Sequence, residues 1–83
     1  MEFIFNPRGV CARQFIFEID GDTVTKVRIV GGCPGNLLGI SSLIKGMKVD
    51  DIIERMQGIR CGLKPTSCPD QIAKALTSYK NQL

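Results

Sequence analysis

Two periodicities divide this chain. Up to about residue 30 apolar positions alternate with polar ones; beyond it they recur at helical spacing. From Gln14 to Ile19, Phe15, Phe17 and Ile19 share one face, with Ile16 and Glu18 on the other. That period of two is the signature of a strand. Thr23 to Val30 alternates again, Thr25, Val27 and Ile29 against Lys26, Arg28 and Val30. Between them, Asp20-Gly21-Asp22 supplies turn chemistry, because glycine takes positive φ without a Cβ clash. The pattern predicts a β-hairpin over residues 14–30, ended by Gly31-Gly32. Phe3-Ile4-Phe5, stopped by Asn6-Pro7, adds a short edge strand.

Leu37, Ile40 and Ile44, joined by Leu38, then follow i, i+3, i+7, with Gly46 as the cap. Val49, Ile52, Ile53 and Met56 follow i, i+3, i+4, i+7. Asp50 and Asp51 sit in that helix's first turn, where the dipole favours acids, and Gly58 closes it. Ile59 to Lys64 reads as a connector or short strand carrying Cys61. A last helix is predicted from Pro69 to Lys80, with Ile72, Ala75, Leu76 and Tyr79 on its buried stripe. Strands come first and helices after. This order argues an α+β fold, an N-terminal antiparallel sheet packed against about three C-terminal helices. No linker, repeat or low-complexity stretch interrupts residues 1–83, so one domain is expected.

Composition narrows the chemistry. An 83-residue chain buries little surface and gains from a staple. Four cysteines offer one, as two disulfides or as a metal centre. The apolar run at the start is too short for a signal-peptide core, and no stretch approaches a membrane span. Cytoplasmic residence with reduced thiols is the resulting expectation, which places metal binding ahead of disulfides. The net charge of +3 is mild and the basic residues are scattered, whereas a nucleic-acid partner calls for a clustered patch or a known motif. There is no histidine, which excludes imidazole catalysis and mixed Cys/His metal sites. Ser41-Ser42 and Thr66-Ser67 therefore lack an activating base. Asp50 and Asp51 point about 100° apart on a helix and make no catalytic pair. Gly35-Asn36 carries no phosphate-binding fingerprint around it. No catalytic residue is predicted.

The cysteines carry the remaining signal. Cys33 and Cys68 each precede a proline, in Cys33-Pro34 and Cys68-Pro69. Proline suits the first helical position, and the residue before it is pushed out of the α region. Both cysteines are thus expected to cap helix N-termini, where free N–H groups and the dipole favour a thiolate. Arg13, Arg60 and Lys64 lie within three residues of a cysteine, placed to offset the −2 charge of zinc held by four thiolates. Asp70 is placed in the first turn of the last helix as a dipole partner, or to accept a hydrogen bond behind the ligands. The spacing is unlike the C-x₂-C pairs of zinc ribbons. Inert buried thiols and a redox pair stay open beside the metal reading.

Thr66-Ser67-Cys68-Pro69-Asp70, with Cys61 before it and Gly32-Cys33-Pro34-Gly35-Asn36 and Cys11 upstream, resembles the TSCPD domain family. Such domains occur at the C-terminus of adenosylcobalamin-dependent ribonucleotide reductases and as small stand-alone proteins. Most carry four cysteines proposed to bind zinc, and all four positions are filled here, as Cys11, Cys33, Cys61 and Cys68. The resemblance implies a module that acts by binding a partner, a ribonucleotide reductase or another protein, or nucleic acid, in deoxyribonucleotide synthesis. A chain this short cannot hold a reductase's own machinery. It could act as a thiol shuttle for such an enzyme, with Cys61 and Cys68 as the expected pair.

A more distant likeness is to iron–sulfur cluster scaffold proteins. It rests on the layout of Thr25 to Cys33, the Lys45-Gly46-Met47-Lys48 junction and Ile59-Arg60-Cys61 ahead of the last helix. It implies a cluster scaffold or carrier in which Cys11, Cys33 and Cys61 match three scaffold cysteines. This chain departs by carrying Arg13 where scaffolds have an acid and Arg60 where they often have a histidine. Its extra Cys68 turns an open site toward a closed, four-thiolate one.

Overall fold

The computed structural model of the chain describes residues 1–32 and 34–82. Its elements run β1 (Glu2–Phe5), β2 (Ala12–Asp20), β3 (Thr23–Gly31), α1 (Pro34–Ile44), α2 (Val49–Met56) and α3 (Cys68–Asn81). The sheet has the order β1-β2-β3 and is antiparallel throughout. The α+β architecture expected from the two periodicities is the one observed, and Ile59 to Lys64 is a connector with no strand.

The hairpin closes through Gly21 and Asp22, with Gly21 at φ 62°. Positive φ at the first central residue matches the twist of the flanking strands. Phe15, Phe17 and Ile19 are fully buried, as their alternation requires. On β3 the pattern slips: Val24 is buried and Thr25 is exposed. Thr25 is the unpaired extra residue where the register changes between Glu18–Lys26 and Ile19–Val24, and a bulge moves the buried set by one position. A second register change leaves Arg13 unpaired between Ala12 and Gln14, at the end of the sheet that carries Cys11.

One face of the sheet is covered by helices. Ile72, Ala75, Leu76 and Tyr79 of α3 are buried against it, as are Val49 and Ile52 of α2. Phe3 meets the Tyr79 ring edge-on at 5.6 Å between centroids. The Tyr79 hydroxyl donates to the Gly21 carbonyl at 2.9 Å, fastening the end of α3 to the hairpin turn. Lys80 pairs with Asp50, joining α3 to α2. Helix α1 lies beside β3 and buries Leu37 and Ile44. Leu38, expected on that stripe, is instead exposed, because the sheet does not extend beyond β3 to cover it.

Candidate metal centre

The cysteine-bearing segments gather around the start of α3. Ser67 caps that helix: its side chain accepts from the Asp70 amide at 3.2 Å. Cys68 was the expected cap but is the first helical residue, with Pro69 after it. The Ser67 hydroxyl outcompetes the thiol for that amide because oxygen is the stronger acceptor. The expectation that Cys33 caps α1 falls outside the described residues; α1 itself begins at Pro34.

Asp70 is almost wholly buried and accepts from the Gly58 amide at 2.7 Å and from the Thr66 hydroxyl at 2.5 Å. Thr66 and Gly58, with Lys74 at 3.7 Å, hold its carboxyl below the usual carboxylate range. Gln71 reaches the other way. Its amide nitrogen donates to Thr66 Oγ1 at 3.0 Å, and its oxygen accepts from the Arg8 amide at 3.2 Å. Ser67 Oγ donates to the Ile59 carbonyl at 2.6 Å. The buried polar residues Thr66, Ser67, Asp70 and Gln71 thus tie together three pieces of chain. These are the loop before Cys11, the segment leading to Cys61, and the turn that carries Cys68. Thr66, Ser67 and Gln71 were not anticipated as site residues. The Ser-x-x-Asp spacing of Ser67 and Asp70 resembles a capping box and was the signal available for Ser67.

Cys11 and Cys68 are brought side by side. Burial pushes the Cys68 thiol up, and the adjacent Cys11 adds to the rise; the Ala12 and Cys11 backbone amides nearby favour the thiolate and offset part of it. The lowered value expected from a helix terminus is not observed, because burial outweighs the amides. Gly32 completes this corner. At φ +77°, a Cβ there would lie 2.4 Å from Leu37 Cδ1 and 3.3 Å from Cys11 Sγ. Only glycine lets the chain pass so close to the sulfur before it reaches Cys33.

Cys61 is exposed on its loop, with its amide bonded to the Thr66 carbonyl at 3.2 Å. Among the described residues, no group of three or more Cys, Asp or Glu side chains is set to hold a metal ion. Cys61 therefore does not join Cys11 and Cys68 in this arrangement, and Cys33 lies outside the described residues. Of the described thiols, the one that acts on Cys68 is Cys11, not Cys61. Arg13 lies along Gly31, its Nε 3.3 Å from where a Cβ would stand. Arg60 is exposed, and Asp70 spends its oxygens on Gly58, Thr66 and Lys74.

Two neighbouring thiols suit two corners of a thiolate tetrahedron. The donor set fits zinc to that extent. Among the described residues, no helix is long and apolar enough to cross a membrane. No curated protein and no solved structure matches the chain. The family model of the TSCPD domain matches residues 4–80, spanning all four cysteines and the buried polar latch. The chain belongs to the TSCPD domain family.

Proposed function

We propose that this chain is a small zinc-binding module that holds its metal with Cys11, Cys33, Cys61 and Cys68 and acts by binding a protein partner in deoxyribonucleotide synthesis. The observation that carries the metal reading is the proximity of Cys11 to Cys68, far apart in sequence, beside the glycine that leads into Cys33. Zinc would supply a cross-link between the sheet end and the start of α3. Cys61 has room to join. Leu63 is fully exposed, and a Cβ at Gly62 would meet nothing within 4 Å. Drawing that loop inward breaks little packing. The partner and the pathway come from the family resemblance alone.

Zinc analysis of freshly purified protein, with thiol counts before and after chelation, tests the reading. One zinc per chain and four thiols that react only after chelation are expected. Metal-free protein with four freely reactive thiols would sink it. The Cys11–Cys68 proximity also favours a second reading, a thiol–disulfide couple, with Cys11 rather than Cys61 as the partner of Cys68. Rapid formation of that disulfide in protein that never held metal would select it.

A further inference from the structure

Strand β3 is an edge strand, and only its first half is covered. Val24 exchanges hydrogen bonds with Met47 at 2.9 Å and Gly46 at 2.7 Å, and Val49 bonds to Asp22. From Lys26 to Gly31, nothing pairs with that edge among the described residues. An unpaired row of amides and carbonyls is a template for another strand. Among the described residues, no proline blunts it and no loop pairs with it.

Beside it runs a groove of about 480 Å³, floored by β3 from Lys26 to Gly31 and by Gly32 after it, and walled by Leu37, Leu38 and Ser41 of α1. Val27, Ile29, Leu37 and Leu38 make it apolar on the helix side, and Leu38 is 69% exposed there. On the other side of the strand stand Lys26 and Arg28, both exposed. Neither closes an ion pair among the described residues. Lys26 has Glu18 opposite it on β2 and Arg28 has Ile16; Glu18 and Glu2 share that face from β2 and β1, so the two bases stand together at the outer edge.

An edge strand flanked by a helix, apolar on one side and cationic on the other, is the layout for strand addition by a peptide. We infer that the groove between β3 and α1 binds an extended segment of a partner protein in which apolar residues alternate with acidic ones. The apolar set faces Leu37 and Leu38, the acidic set faces Lys26 and Arg28, and the peptide backbone pairs with the edge of β3. A second copy of this chain is the wrong occupant. Antiparallel pairing of two β3 edges would gather Lys26 and Arg28 of both copies on one face, four like charges with no added acid between them. The inference rests on the reading of a partner-binding module but not on its metal. The groove ends at Gly32, so a bound segment would finish beside Cys11.

The probe is a labelled octapeptide alternating valine and glutamate, titrated into the full chain. Binding is expected, with amide shifts concentrated from Val27 to Gly31 and in the first half of α1. The charge-reversed variant Lys26→Glu/Arg28→Glu should bind it at least about tenfold more weakly, and should gain affinity for the valine–lysine peptide. N-methylation of one alternate set of peptide nitrogens should abolish binding, and of the other set leave it intact. That asymmetry separates strand pairing from charge attraction. No binding at about millimolar peptide, shifts on another face, or a β3-mediated dimer would overturn the inference. Zinc content read on the same variant keeps the two readings apart, since charge reversal in the groove leaves the thiols untouched.

Discussion

Cys68→Ser is expected to weaken zinc binding by at least about a hundredfold, measured by competition with a chromophoric chelator. Removing a group that merely supports a ligand costs about 10- to 100-fold in affinity, so removing the ligand must cost more. Cys68 is the most demanding of the described cysteines to replace. It is half-buried against the core while Cys11 and Cys61 are exposed, and the Cys11 thiol lies near it. Serine keeps the small shape and the helix start, where Ser67 supplies the cap. Fold loss is therefore not the expected cause, and far-ultraviolet circular dichroism of the same sample checks that point. An unchanged zinc affinity would remove Cys68 from the site.

Asp70→Ala is expected to lower the unfolding free energy by about 3 kcal/mol near neutral pH, read by urea titration. The variant strands the Gly58 amide and the Thr66 hydroxyl, two groups that now donate to a buried carboxylate. For a domain of this size that is a large share of the total. The pH dependence follows from the sign of the shift. The native carboxyl titrates below its ordinary value of 3.8, so the unfolded chain takes up the proton first as pH falls. The Asp70 contribution is fully present above that ordinary value and is lost as pH drops through the depressed native one. The gap between wild type and variant should hold from about pH 7 to about pH 5 and narrow as pH falls below the ordinary carboxylate value. A gap undiminished in acid would mean that Asp70 acts through packing and hydrogen bonding and not through charge.

Much of the architecture was legible because its signals are periodic. Alternation at Phe15, Phe17 and Ile19 and helical spacing at Ile72, Ala75, Leu76 and Tyr79 each name a buried face, and those faces are buried. The misplacements occurred where a single residue changes the count. The Thr25 bulge shifted the buried set of β3, and Leu38 was assigned a neighbour that the three-stranded sheet does not provide. At the site, the cysteines were visible as residue types and their latch was not. Gln71 reaches the distant Arg8 and Asp70 reaches Gly58, while the Thr66 hydroxyl bonds to both Asp70 and Gln71, and no local pattern announces such bonds. The Cys68-Pro69 step predicts a cap one residue later than Ser67, because the Ser67–Asp70 pair and not the proline sets the helix start.

The central claim is that four thiols from separate segments meet on one ion. X-ray absorption at the zinc edge of the purified protein tests it most directly. A single shell of four sulfur neighbours at about 2.3 Å is the expected result. A shell in which nitrogen or oxygen replaces one or more sulfurs, or protein that carries no zinc, would contradict it.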